Sequence, residues 1–560
     1  MKSLRVVLSI PVLLAIVLTL FGCGATPTAA PTTAPPQAAA PTAVPATPVP
    51  APMTMTFCAG ADAVRLDPAD LDDEPSWLPV DHIFEGLTVV KDTSGQPQPA
   101  LAERWEASAD LKEWTFYLRK GVTFSDGTPL NAESYLWNIY RQWDPSHPYA
   151  DASKYATLGY YLFVDYFALG KKGDANAGLQ EVQQIDEYTI KFVLKDPNPL
   201  FLQYTHVVPF EAVGKSSFET YDTEAYQHPV GTGPYVLEEW IKDDHLTLVR
   251  NPNYWDKASW PLDKIVFKII PDASARLLAV KAGDCQGMNL VSPDDAAAAA
   301  GDPNLQITLR PPANVGYVRF NMSIAPLDDL NVRLALAHAT DRQSIVDNLY
   351  SGLGKPAEQW MGPLYPGHNP DVKGYPFDLE KAKGYLKAAG LEDGFTIDFW
   401  YMPVARPYFP NAKVVAEAIA ADWAKIGVIA NLQTEDWGQY KLDLAAGKLP
   451  IFMFGWTPDY IDGSLLDVWF KDVPLGSGSQ SQCCGFANEE VNDLLIQAGA
   501  ILDEDERIEM YQRVAVIVNE IVPGVPIVHT SVPNIFSAKV QGFVPVPLKT
   551  DILRGVSIAK

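Results

Sequence analysis

The residue types that most often carry chemistry are spread along this chain without the spacing that chemistry needs. Eight histidines, at positions 82, 147, 206, 228, 245, 338, 368 and 529, form no H-E-x-x-H pair, the spacing that sets two imidazoles on one helix face around zinc. No G-x-S-x-G elbow presents a nucleophilic serine, and no P-loop offers backbone amides to phosphate. Gly231-Thr232-Gly233 lacks the rest of a dinucleotide fingerprint and reads as a turn. The five cysteines contain no C-x-x-C, so no metal site follows from them. These residues point to a protein that binds rather than reacts: not an enzyme, and without a cofactor.

The elements that must position any binding groups alternate between strand and helix. Trp114–Leu118, Tyr188–Leu194 and Ile265–Ile270 alternate with strand spacing, and the Asp-Gly turn chemistry of Gly121–Pro129 follows the first. Helical periodicity covers Ala132–Arg141, Val332–Leu349, Leu379–Ala389, Ala412–Ile426, Glu489–Ile501 and Glu504–Asn519, the last capped by Asp503. This mixture predicts α/β architecture. A chain of 560 residues exceeds one core, so two or three domains are expected, and 47% hydrophobic residues exclude a disordered or collagen-like polymer. A net charge of −25 argues against nucleic acid as a partner, since phosphate neutralisation needs basic surface.

The charge is missing from the first sixty residues, where only Lys2 and Arg5 are ionic. They precede an apolar run, Val6–Leu20, of signal-peptide length. Leu20-Phe21-Gly22-Cys23 resembles a bacterial lipobox, which makes residues 1–22 a lipoprotein signal peptide and Cys23 the lipidated residue that holds the chain on a membrane. Residues 24–53 hold nine Pro, ten Ala and six Thr and no charge. They are expected to be an extended tether of about 90 Å. The predicted location is extracytoplasmic, periplasmic or on the outer cell surface, where disulfides are permitted. Cys58 with Cys285 is one pairing open to the sequence, alongside free buried thiols. Adjacent Cys483 and Cys484 are expected to be poor partners for each other, because vicinal closure strains the peptide.

From Thr54 onward a series of motifs runs in fixed order: Phe84-Glu85-Gly86-Leu87, PALAERW at 99–105, FSDGTP at 124–129, PVGTGPY at 229–235, RNPNYW at 250–255 and VRLALAHATDR at 332–342. Together they resemble the peptide/nickel class of ABC-transporter solute-binding proteins, over nearly all of residues 54–560. The resemblance implies a two-lobe fold of the periplasmic-binding-protein kind with an extra inserted domain and a ligand cleft between the lobes. Lobe I would take 54–95, 228–310 and 531–560, the inserted domain 96–227, and lobe II 311–530. It also implies a monomer that passes its solute to a membrane permease driven by a cytoplasmic ATPase.

MPVARPYFPN at 402–411, WGQY at 437–440 and GWTPD at 455–459 are closest to the dipeptide-binding branch. By that resemblance Arg406 holds the carboxylate of a short peptide and Asp459 its amino terminus. The chemistry suits such a ligand. A guanidinium takes a carboxylate with two parallel hydrogen bonds, and a carboxylate accepts from an ammonium. The backbone of Gly455, Trp456 and Thr457 is expected to pair with the peptide main chain as an added strand. Trp437 and Trp456 would wall the side-chain pockets, and Ser76, Trp77 and Tyr149 would contribute from elsewhere. Tyr-Ile-Asp-Gly after Asp459 departs from the branch and puts the pocket rim in question. Other solutes in the same architecture, namely a cello-oligosaccharide, a nickel chelate, haem or a glutathione-like peptide, remain alternatives, as does an extracellular binding or signalling lipoprotein outside transport.

Overall fold

A computed structural model describes residues 52–71, 73–156, 162–472, 482–548 and 551–559. The signal peptide, Cys23 and nearly all of the tether lie outside the described residues.

Three sheets organise the body. The first has seven strands, with Thr54–Ala59 near its centre, paired in parallel with Lys264–Ile269 on one side and Gly287–Met288 on the other. Its outer strands are Tyr235–Ile241, His245–Arg250, Leu305–Arg310 and Val532–Ser537. The second has six strands, all drawn from residues between 315 and 530, with Val315–Phe320 and Ile451–Trp456 adjacent at its centre. The third is an antiparallel four-stranded sheet, Ala102–Ala107, Glu113–Leu118, Thr189–Leu194 and Leu179–Asp186 in spatial order.

The expected strands and helices form, with one informative break. Residues 332–349 read as one helix but fold as Leu330–His338 and Arg342–Leu349. Thr340 turns its hydroxyl back to the Leu336 carbonyl at 2.8 Å, and the Asp341 side chain accepts from the Ser344 amide at 3.0 Å. A cap inside the apolar pattern therefore ends one helix and starts the next.

The first and third sheets share one core, in which Phe57, Phe267 and Phe536 belong to the same apolar cluster as Phe116, Phe192 and Phe210. The six-stranded sheet packs on its own core around Trp423, Phe399 and Val318. Two chain crossings join the large sheets, between Arg310 and Val315 and between Thr530 and Val532. Asn314 ties them together. Its side-chain oxygen accepts from the Thr530 amide and hydroxyl at 2.9 and 3.0 Å, its amide donates to the Thr530 carbonyl at 3.0 Å, and its carbonyl lies 2.8 Å from His529 Nδ1.

Cys58 and Cys285 are disulfide-bonded, with Cα atoms 5.9 Å apart. Cys285 leads into strand Gly287–Met288, which pairs directly with Phe57 and Cys58. Against expectation, Cys483 and Cys484 are bonded to each other, in the single turn Gln482–Cys484. Both are buried in the second core, and the Cys58–Cys285 bond leaves them no other cysteine among the described residues.

Candidate functional site

Strand Ile451–Trp456 is where the site is built. Along its whole length it pairs with Val315–Phe320, Trp456 opposite Val315 and Gly455 opposite Gly316. On its other edge strand Phe395–Trp400 meets only Ile451 and Phe452. From Met453 to Trp456 that edge carries no strand among the described residues. Gly455 is needed there for space, since a Cβ would come within 2.3 Å of the Tyr408 ring and 2.5 Å of the Val315 carbonyl.

The chain leaving Trp400 carries Arg406 in the loop beside this edge. A small bridge holds the loop, Arg406 and Phe409 exchanging backbone hydrogen bonds at 3.1 and 3.0 Å, before Asn411 caps helix Ala412–Ala424. The guanidinium lies 5.4 Å over Trp437, close enough for a cation–π contact. Trp437 opens helix Trp437–Ala445, whose N-cap is Asp436, and stacks on Phe454 of the strand at 5.6 Å. Arg406 donates to the Ala405 carbonyl at 3.1 Å. Among the described residues no carboxylate forms an ion pair with it. Asp459 follows the strand's C-terminal end, partly buried after Thr457-Pro458. The turn beyond it is braced by Asp462, which accepts from the Ser464 amide at 2.8 Å and faces Arg507 at 3.5 Å.

Two cavities flank this edge. One, about 370 Å³, lies between residues of the seven-stranded sheet's half (Gly60, Glu74, Arg276, Leu290) and Tyr350 and Arg406. The other, about 340 Å³, is lined by Asp459 together with Trp77, Glu85, Glu211, Trp255 and Arg554. Arg406 lines the first of these two cavities and Asp459 the second, and the strand edge from Met453 to Trp456 is in neither of these two linings.

The family model for the middle region of bacterial extracellular solute-binding proteins, family 5, matches residues 96–472. The chain belongs to this family. It is 35% identical over 489 residues to the Dipeptide-binding protein of Escherichia coli, covering 85% of this chain and 89% of that one. It is 34% identical over 523 residues to Heme-binding protein A of Haemophilus influenzae, covering 90% and 92%. Among solved structures, the dipeptide binding protein from Pseudoalteromonas in complex with Met-Leu superposes with a TM-score of 0.80 at 25% identity, covering 90% of this chain and all of that one. The chain accordingly has the two-lobe α/β fold of this family.

Within this family-5 chain, the remaining expected site residues separate by contact. Trp77 is 5% exposed and shares the Asp459 cavity. Ser76 beside it is fully buried. Its hydroxyl donates to Asp73 at 2.9 Å and accepts from the Val64 amide at 2.8 Å, with no exposed surface. Tyr149 lies away from the strand edge in sequence, on the segment after helix Ala132–Trp143. It sits in an aromatic cluster 5.1 Å from Tyr155, 5.3 Å from Phe218 and 5.8 Å from Trp137, and is in the lining of neither of the two cavities described. Gly455, Trp456, Thr457 and Trp437 border the strand edge.

Asp81, Glu85 and Glu211 were not anticipated as cavity residues. Burial pushes Glu85 up to about 7, against hydrogen bonds from Tyr254 at 2.7 Å and Trp255 at 3.2 Å. Glu211, 4% exposed, is raised well above the carboxylate range by burial and then by the charge of Asp81. The signal available for Glu211 was a lone acid inside the apolar run Val207–Val213.

Proposed function

We propose that the protein is the lipid-anchored substrate-binding component of an ABC importer and that it captures dipeptides or other short peptides. The observation that carries this reading is the strand edge from Met453 to Trp456, uncovered by any described strand, with Arg406 beside it and Asp459 just beyond its end. A peptide laid along that edge exchanges main-chain hydrogen bonds with the strand, which reads backbone and not side chain. Its carboxylate goes to Arg406 and its ammonium to Asp459. Lobe closure lowers the local dielectric, and a ligand lacking either charge leaves a buried group unpaired. The named relative that binds dipeptides and the Met-Leu complex support the same ligand class.

In this reading lobe I comprises 54–95, 228–310 and 531–560, the inserted domain 96–227 and lobe II 311–530. Lobe I and the inserted domain, which share a core, close on lobe II as one body. Cys23 bears the lipid, the tether gives the monomer reach along the outer face of the membrane, and a permease with its ATPase receives the ligand. Titration calorimetry with Ala-Ala tests the clamp: Arg406→Ala and Asp459→Ala each weaken binding at least tenfold, and unchanged affinity in both refutes it. The relative named Heme-binding protein A favours haem as a second reading, which a Soret band appearing on titration with haemin would support.

A further inference from the structure

The cavity that Arg406 lines is walled by groups that offer a ligand little to hydrogen-bond. Six of its lining residues are prolines: Pro75, Pro271, Pro293, Pro407, Pro410 and Pro533. A proline has no N–H to donate and its ring fixes the backbone, so this wall is apolar and set in shape before anything binds. Leu290, Val291, Leu353, Val404 and Val532 stand between them.

The polar side chains on the same walls are turned to the protein. Arg276, 2% exposed, gives its guanidinium to the Ile270, Pro271 and Leu290 carbonyls at 2.6, 2.8 and 2.7 Å. Tyr350 donates to the Tyr408 carbonyl at 2.8 Å, Ser292 to Asp295 at 2.6 Å and Thr530 to the Asn314 side-chain oxygen at 3.0 Å. Glu74 faces Arg310 at 3.3 Å. Arg406 is different: it donates to the Ala405 carbonyl at 3.1 Å and forms no ion pair with a carboxylate among the described residues. Charge complementarity therefore sets one end of the occupant, a carboxylate on Arg406. What remains for the rest of it is apolar space. The volume of about 370 Å³ is far more than a carboxylate fills. An apolar side chain placed there leaves no wall group unpaired. A charged or amide side chain would give up its water with little beyond the Ser531 hydroxyl to replace it.

We infer that this cavity is the subsite for a bulky apolar side chain, leucine- or phenylalanine-like, on the last residue of the bound peptide, beside the carboxylate that Arg406 holds. The inference rests on the peptide reading above and narrows it from short peptides in general to those ending in a large apolar residue. Neither Trp437 nor Trp456 is in this lining, so prolines and aliphatic side chains make the selection.

Titration calorimetry on the intact protein with Ala-Phe, Phe-Ala, Ala-Lys and Ala-Ala tests it. Ala-Phe and Phe-Ala carry the same groups in opposite order, and Ala-Lys puts a long side chain with a charge in the last position. Ala-Phe is expected to bind about tenfold or more tightly than each of the other three, the range for burying one large apolar side chain. Leu353→Asn, which sets an amide on the wall, should lower the Ala-Phe to Ala-Ala ratio by about threefold or more, and an unchanged ratio would place the ring elsewhere and overturn the inference. Equal affinity for Ala-Phe and Ala-Ala in the unaltered protein overturns it whether or not the variant folds, and leaves the peptide reading standing. Phe-Ala binding as tightly as Ala-Phe does the same. Failure of all four to bind overturns the peptide reading, and this inference with it.

Discussion

Arg406 rests over Trp437 and donates to a neighbouring carbonyl, so its charge is held in place without an ion pair among the described residues. A guanidinium stacked this way keeps its fork free to turn toward a carboxylate. Arg406→Lys keeps the charge but loses the fork, and calorimetry should show dipeptide affinity falling about tenfold, close to the alanine variant. Gly455 gives a prediction in stability. With Tyr408 and the Val315 carbonyl so near, Gly455→Ala should cost about 1–3 kcal/mol in denaturant unfolding, and Tyr408→Ala in the same chain should recover part of that cost. Arg406 and Asp459 could be picked out from the sequence because each stands in a short motif of unusual composition, R-P-Y and G-W-T-P-D. Glu211 could not, because a single acid in an apolar run gives no sign of the aspartate that meets it from another element. Ser76 and Tyr149 show a related limit of sequence: proximity to a motif says nothing about which way a side chain faces, and the one is buried against Asp73 while the other joins an aromatic cluster.

At the scale of elements, the helices were legible wherever an apolar stripe ended in a capping residue, as at Asn131, Asn411 and Asp503. The break at Thr340-Asp341 was hidden because the apolar period continues through it. The sheets were less accessible, since partners such as Cys58 and Met288 are far apart in sequence and only tertiary pairing joins them. The element most exposed to test is the double crossing between the two large sheets. Asn314→Ala removes the side chain that binds Thr530 three ways in a buried setting, so unfolding stability should fall by about 2–4 kcal/mol. The disulfides differ by loop length. Opening Cys58–Cys285, which closes 227 residues of sequence separation, should cost up to about 5 kcal/mol by chain entropy. Opening Cys483–Cys484 closes no such loop, and Cys483→Ser with Cys484→Ser should lack that entropic loss.

The whole molecule responds to pH through groups held far from water. His82 has no exposed surface, its Nδ1 lies 2.7 Å from the Leu78 carbonyl and its Nε2 accepts from the Leu553 amide at 3.1 Å. Burial lowers it to about 4 from 6.5. Between those values the unfolded chain takes up a proton that the fold refuses, so stability falls as pH drops through the window, by about 3 kcal/mol. Glu85 has the opposite sign: raised to about 7, it is protonated in the fold while ionised in the unfolded chain, so its contribution fades as pH rises from 4.5 to 7. Comparing the chain with His82→Gln by chemical unfolding at pH 6.5 and 4 should show the smaller acid loss in the variant. The acidic balance of −25 foretold neither effect and gave no hint of a ligand carrying both signs of charge. Native mass spectrometry of the purified protein identifies that ligand most directly. Bound species are expected at masses that resolve into peptides of two or three residues, released by Asp459→Ala. A sugar, a metal chelate or haem in their place would contradict the peptide reading.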